Sequence, residues 1–278
     1  MFTLSAFADE ISPDPQAQLD CLKACGIRHI EFRSILGTNV LALNDQQIAD
    51  FKALLDQQGF HLSAIGSPIG KIRIDEPFEP HLEKFARAIH LCKVFGTPNI
   101  RIFSYYPREG QTWETASAAD RQEVFNRMAE KVRRAEAAGV LLFHENEHRI
   151  FGDSPARVKE LFENVNSPAL RAAYDPANFE YCGYDPIEGW NVSKPYLAHF
   201  HIKDWVQGEP HGRIPGEGKG KIPEVIADAV KIGYSGFAVM EPHLLGGGPT
   251  GGQTGPELFP KAVSAFRAIL TGAGASVA

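Results

Sequence analysis

The chain has 278 residues, 44% of them apolar, 10% aromatic and 22% charged, which supplies a large core and excludes a disordered, collagen-like or low-complexity protein. Its 34 acidic and 28 basic residues leave a net charge of −6, which offers a polyanion no attraction and sets nucleic acid aside as a partner. The length exceeds that of the usual single core but still fits one α/β barrel of about 250 residues.

The opening, MFTLSAFADEIS, lacks the basic start and long apolar run of an export signal, and no stretch of about 18 apolar residues follows. A cytoplasmic protein without a membrane span is expected. Phe2–Ala8 is the first predicted strand, and the helix after it runs from Ser12-Pro13 through Leu19 and Leu22 to Gly26. Cys21 and Cys25 share that helix at a spacing of four, which predicts a common buried face. With Cys92 and Cys182 they are too few and too unevenly spaced for a disulfide framework or a zinc knuckle. Strand Ile27–Arg33 leads to a helix with a capping box at Asn44 and Gln47, an apolar stripe of Ile48, Phe51, Leu54 and Leu55, and a stop at Gly59. Strands His61–Ile65, Asn99–Phe103, Val140–Glu145, Leu170–Asp175, Leu197–Lys203 and Phe237–Glu241 follow. Helical segments end at Gly96 and Gly139 or begin after Ser154, Ile222 and Glu257, while the segment at Pro186–Trp190 is short and weak.

Eight strand–helix units of about 35 residues predict a single closed (β/α)8 TIM barrel over residues 1–271, with residues 272–278 as a flexible tail. An open doubly wound sheet is the competing architecture. The first strand–helix connection carries no glycine-rich phosphate loop, which argues against it.

In such a barrel chemistry gathers at the carboxyl ends of the strands. Four consecutive strands end on ligand-type side chains: Glu145, Asp175, His201 with Lys203, and Glu241. Each has an ordinary explanation on its own, as a turn residue, a core histidine or a solvated carboxylate. Together they form a crowded acidic cluster that a divalent cation would relieve, since three carboxylates and a neutral imidazole carry a charge of −3. An oxygen-rich donor set without thiolate suits Mn²⁺, Mg²⁺ or Co²⁺, and Zn²⁺ is compatible.

H-E-N around Glu145, Y-D-P-A-N around Asp175, H-I-K-D from His201, P-G-E-G at Pro215–Gly218 and the run from Gly233 to Glu241 give the chain a further property. In that order it resembles the xylose isomerase-like barrel superfamily, in the sugar phosphate isomerase/epimerase branch, over nearly its whole length. The resemblance implies that Glu145, Asp175, His201 and Glu241 hold the metal and that Glu145 and Glu241 are the catalytic proton-transfer pair. It implies a sugar, keto-sugar or polyol derivative as substrate, handled through an enediolate, and leaves a homo-oligomer open. Return of the proton decides between epimerisation and isomerisation. Loss of a β-hydroxyl would make the enzyme a lyase or dehydratase on a keto-polyol or 3-keto-glycoside, and a non-catalytic sugar-binding barrel is a third possibility.

Two departures matter. Asn178 stands where the endonuclease branch and the ketose 3-epimerases favour histidine, which argues against a DNA-repair role. Gln207 and Phe151 replace an arginine and a glutamate of the ketose 3-epimerases, so Lys203 or Arg213 would have to supply the cationic contact. Trp113 and Trp205 are candidate aromatic walls for a sugar, His148 a candidate substrate contact, and Glu31 a candidate supporting carboxylate. Strand alternation turns His144 away from the barrel and places His199 inside it, below the metal. Asp9, Glu10, Arg33, Ser67, Lys71, Arg101, Tyr105 and Tyr106 are weaker candidates for the substrate side. The glycine-rich run Leu245–Gly255 offers either backbone amides to a phosphate or the freedom of a lid.

Overall fold

Short apolar strands alternating with striped helices can bury both faces only as a parallel sheet coated by those helices. The computed structural model, which describes residues 1–248 and 251–278, closes that sheet into a barrel. Its strands are β1 (Phe2–Ala6), β2 (His29–Phe32), β3 (His61–Ile65), β4 (Asn99–Ile102), β5 (Leu141–Glu145), β6 (Leu170–Tyr174), β7 (Leu197–Ile202) and β8 (Gly236–Met240). They lie side by side in chain order, and β1 completes the ring by pairing with β8, Phe2 opposite Gly236 and Ala6 opposite Met240. All eight expected strands are present, each within two residues of its expected ends.

The coat consists of α1 (Pro15–Ala24), α2 (Asp45–Gln58), α3 (Glu79–Phe95), α4 (Ala118–Ala138), α5 (Pro155–Val165), α6 (Pro176–Tyr181), α7 (Pro186–Ser193), α8 (Ile222–Lys231) and α9 (Gly255–Gly272). The capping box that opens α2 is complete: Gln47 N donates to Asn44 Oδ1 at 2.9 Å and Asn44 N to Gln47 Oε1 at 3.0 Å. Gly59 ends the helix with φ of 69°, a left-handed conformation that glycine adopts without penalty. The cap of α1 is Asp14, whose carboxylate accepts from Ala17 N at 2.7 Å, two residues later than the expected Ser12. Between β6 and β7 the weak segment Pro186–Trp190 forms the short helix α7, and a further short helix, α6, precedes it.

Other differences from the sequence expectation lie at the rims. A small hairpin, Ser34–Ile35 with Thr38–Asn39, follows β2. The terminal segment 272–278, expected to hang free, is instead tied to β1: Phe2 N donates to Ser276 O at 2.8 Å and Ala278 N to Phe2 O at 2.9 Å. All four cysteines are free thiols. Among the described residues no helix is long and apolar enough to cross a membrane.

Alternation along the strands sorts two interiors. One set of residues packs between barrel and helices, as in the Phe32, Phe51 and Phe95 cluster. The other points into the barrel, where Ser5 and Ser63 share a hydrogen bond at 2.7 Å, Phe143 lies against His199 at 4.7 Å, and the Phe7 ring meets His201 edge-on at 5.1 Å. Towards the carboxyl ends of the strands this inward series turns from apolar to charged.

Candidate active site

The inward series of β5 ends at Glu145, and Asp175 follows β6 directly. There Asp175 also caps α6, its carboxylate accepting from Asn178 N at 3.1 Å. His201 is the inward residue near the end of β7, and Glu241 follows β8. These four side chains are buried, and each has a donor atom within 4.8 Å of a donor atom of the others. His201 Nδ1 lies 3.2 Å from Glu145 Oε1 and 3.5 Å from Glu241 Oε2.

Glu31 supports the group from below. One of its oxygens, Oε2, is 2.7 Å from His199 Nε2 and 3.2 Å from His201 Nε2, which fixes the orientation of the His201 ring. His199 therefore lies inside the barrel beneath His201, and His144 faces outward to Ser104 Oγ at 2.9 Å, as strand alternation requires. Asn178 donates to Glu145 Oε1 at 3.2 Å and to Asn146 O at 2.9 Å.

Three internal cations alter the charge balance inferred from the four strand ends alone. Arg101 Nη1 donates to Glu145 Oε2 at 3.1 Å, Arg33 Nη1 to Glu241 Oε1 at 2.8 Å, and Lys203 Nζ stands 2.7 Å from Asp175 Oδ2 and 3.9 Å from Glu241 Oε2. Each carboxylate thus has a cation, and repulsion among them does not by itself demand a metal ion. The donor set nevertheless fits one. His201 Nδ1 and Glu241 Oε2 are buried and make no hydrogen bond, Asp175 Oδ2 meets only the Lys203 ammonium, and buried polar atoms left unsatisfied in this way are costly unless something binds them.

The titration directions follow from this crowding. Burial pushes the Asp175 carboxyl up to about 6; Lys203 opposes the rise while Glu145 and Glu241 add to it. Burial works against the His201 imidazolium, yet Glu145 and Glu31 outweigh it and raise the ring well above an ordinary histidine. Burial would also raise Glu241, but Lys203, His243 and His201 hold it well below the carboxylate range. His243, placed 3.2 Å from Glu10 Oε1 and 3.3 Å from Glu241 Oε1, is raised to about 9 against the cost of its burial.

A crevice of about 40 Å³ lies over the cluster, lined by Arg33, Lys71, Arg101, Glu145, Lys203 and Glu241 among others. On the β5–β8 side it meets a cavity of about 420 Å³ walled by His148, Tyr181, Trp205 and His243. His148 packs edge-on against Tyr181 at 5.2 Å on that wall. Two expected substrate contacts lie elsewhere. Trp113 is buried in the outer core, its Nε1 donating to Tyr105 O at 3.2 Å and its ring edge-on to Phe151 at 5.2 Å, so it cannot face a sugar. The guanidinium of Arg213 is partly exposed and engaged by Glu209, outside the cluster.

His243 and Glu147 complete the mouth and were not anticipated. Glu147 sits 2.5 Å from Lys71 Nζ, and burial of its carboxyl is overcome by that lysine, holding it at about 2. Each lies two residues beyond a candidate ligand, Glu145 or Glu241, so continuing the alternation past the strand end would have found both. Asp204, next to Lys203, turns outward. Its Oδ1 accepts from Trp205 N at 3.0 Å and Gly220 N at 2.8 Å, and its Oδ2 from Gly216 N at 2.8 Å and Gly218 N at 2.9 Å. This carboxylate ties the P-G-E-G segment to the end of β7. A side chain at Gly218 or Gly220 would collide with it. In the glycine-rich run after β8, residues 249 and 250 lie outside the described residues.

A closed eight-stranded parallel barrel with carboxylates and a histidine gathered at the carboxyl ends of its last four strands defines the general class. The chain matches the xylose isomerase-like TIM barrel family over residues 19–268 and belongs to it. It is 26% identical over 250 residues to the D-psicose 3-epimerase of Ruminiclostridium cellulolyticum, covering 80% of each chain. It is 25% identical over 134 residues to the 3-dehydroshikimate dehydratase of Bacillus anthracis, a match spanning 48% of this chain and only 46% of that protein. Among solved structures, a D-tagatose 3-epimerase-like protein superposes with a TM-score of 0.78 at 16% identity, covering 99% of this chain and 98% of the other. A xylose isomerase-like barrel from Mycobacterium smegmatis in complex with magnesium superposes with a TM-score of 0.74 at 18% identity, covering 98% and 97%.

Proposed function

We propose that this chain is a divalent-metal-dependent isomerase or epimerase that moves a proton on the carbon beside the carbonyl of a sugar, keto-sugar or polyol derivative. The observation that carries this reading is the convergence of Glu145 and Glu241, from β5 and β8, with Asp175 and His201 between them. These four residues would hold the ion, and Mn²⁺, Mg²⁺, Co²⁺ and Zn²⁺ all match the donor set. When bound, the ion would polarise the oxygens of an α-hydroxycarbonyl substrate.

The protein's own groups supply the rest. Glu145 and Glu241 remove and return the proton. Arg101 and Asn178 grip Glu145, and Arg33 and His243 grip Glu241, so each carboxylate meets the substrate in a fixed orientation. Glu31 keeps the His201 ring aligned. The epimerase similarity supports this chemistry.

In deuterated solvent a turned-over ketose or keto-glycoside should gain deuterium at the carbon next to its carbonyl. Glu145→Gln and Glu241→Gln should each reduce that exchange by about 10²–10⁴-fold while the protein stays folded. Wild-type exchange in both variants would refute the assignment, and absence of exchange with every carbonyl substrate tried would leave a sugar-binding barrel. The dehydratase similarity favours a second reading, loss of a β-hydroxyl from the same substrate class. Growth of a conjugated-enone absorbance, or release of an aglycone, would identify it.

A further inference from the structure

The glycine-rich run after β8 lies against the two groups that grip Glu241. Gly247–Gly248 pairs antiparallel with Gly251–Gly252, and the base of this hairpin closes where Leu245 N donates to Gln253 O and Gln253 N to Gly246 O, each at 2.8 Å. A Cβ on Gly252 would collide with the His243 ring, one on Gly247 would stand 3.0 Å from its Nδ1, and one on Gly251 would stand 2.7 Å from Cζ of Arg33. At Gly251 and Gly252 any side chain must therefore displace Arg33 or His243.

Glu10, in the turn after β1, fastens the same assembly. Its side chain is buried; Oε2 accepts from His243 N at 3.0 Å and from Thr254 Oγ1 at 2.6 Å, and the backbone carbonyl accepts from Thr254 N at 2.9 Å. Both ends of the loop that carries the hairpin thus meet one residue. The other oxygen, Oε1, lies 3.2 Å from His243 Nε2 and 3.8 Å from Arg33 Nη2. Those two side chains both reach Glu241 Oε1, at 3.3 and 2.8 Å, which leaves Glu241 Oε2 facing His201 Nδ1 at 3.5 Å inside the ligand cluster. His243 itself stands at φ of 52°, a left-handed conformation that a residue other than glycine keeps only where its surroundings hold it.

We infer that Glu10 and the glycine hairpin form a clamp that fixes Glu241 through His243 and Arg33, holding Oε1 so that Oε2 is turned to the reacting centre. Glu10 is then a positioning residue and not a substrate contact, and the glycines serve close backbone approach to the His243 and Arg33 side chains. Holding one oxygen leaves the other a single direction, which a group that binds an ion or moves a proton at a set carbon requires. The clamp stands on geometry alone, and its effect on turnover rests on the isomerase or epimerase reading above.

Crystal structures of the Glu10→Ala and Gly252→Ala proteins test the clamp without substrate or metal. Each should show the His243 ring turned away and the Glu241 carboxylate displaced by about 1 Å or more, with Asp175 and His201 in place. In the solvent-exchange assay each should lower kcat by about 10–100-fold and leave KM little changed. Glu10→Ala combined with His243→Ala should be about as slow as the slower single variant, because both break one chain of contacts. Where Glu10→Ala fails to fold, Glu10→Gln replaces it: the amide keeps an acceptor for His243 N and Thr254 Oγ1, presents N–H groups to His243 and Arg33, and should produce the same displacement. An undisturbed Glu241 in these structures, wild-type kcat in the variants, or losses that multiply in the double variant would overturn the inference. Should the wild-type protein exchange no substrate, the isomerase reading falls while the structures still decide the clamp.

Discussion

Lys131 is the most buried cation outside the mouth. It projects from α4, stacks its ammonium 4.5 Å from the centre of the Tyr105 ring and donates to Phe103 O at 3.3 Å. Burial lowers it to about 7, with Arg127 adding to the effect. The unfolded chain therefore holds this proton more tightly than the folded one between about pH 7 and 10, and folding stability rises with pH across that interval, the full penalty being present below it. Lys131→Met should raise stability by a few kcal/mol near about pH 6 and by less near about pH 9, seen as a narrowing difference in melting temperature. A constant difference across that range would contradict the burial account. Single residues also mark where sequence reading reached its limit. Glu145, Asp175, His201 and Glu241 were legible because each ends an apolar run, but Trp113 was not, because nothing local distinguishes a loop tryptophan that packs inward from one that faces a ligand.

At the level of elements, strands and helix ends were well encoded, because period-two apolar runs and cap chemistry are local properties. The capping box of α2 is a case in which both reciprocal bonds form as its four-residue pattern predicts. Asn44→Ala should lower stability by about 1 kcal/mol, measured by denaturant unfolding, and leave the proposed solvent exchange unchanged. The hairpin after β2 was illegible for the opposite reason. Its strands are two residues each, and its turn passes through Leu36 and Gly37 at φ of 53° and 69°; Leu36 carries no sequence signal for a left-handed turn. The pairing of residues 276–278 with β1 joins the two ends of the chain, and such long-range bonds leave no local pattern to read.

Across the molecule, both halves of the barrel feed the mouth. Strands β2 to β4 bring Arg33, Lys71 and Arg101, whereas β5 to β8 bring Glu145, Asp175, His201 and Glu241 together with the cation Lys203. The second set was visible in the sequence as a row of ligand types. The first offered only weaker candidates for the substrate side until closure of the ring set them beside the carboxylates. If the second half holds an ion, Asp175→Ala and His201→Ala should each bring metal content well below one ion per chain after dialysis, read by elemental analysis, while Lys84→Ala should retain it. Stoichiometric metal in both ligand variants would remove the proposed centre. Asp204 bears on how this barrel can be re-engineered. One carboxylate clasps amides from Trp205 to Gly220, and the stretch it fastens carries Trp205, Glu209 and Pro210 to the cavity wall. Insertions inside that stretch would unfasten the whole, so altering specificity from this side calls for transplanting the segment together with its anchoring aspartate as one cassette.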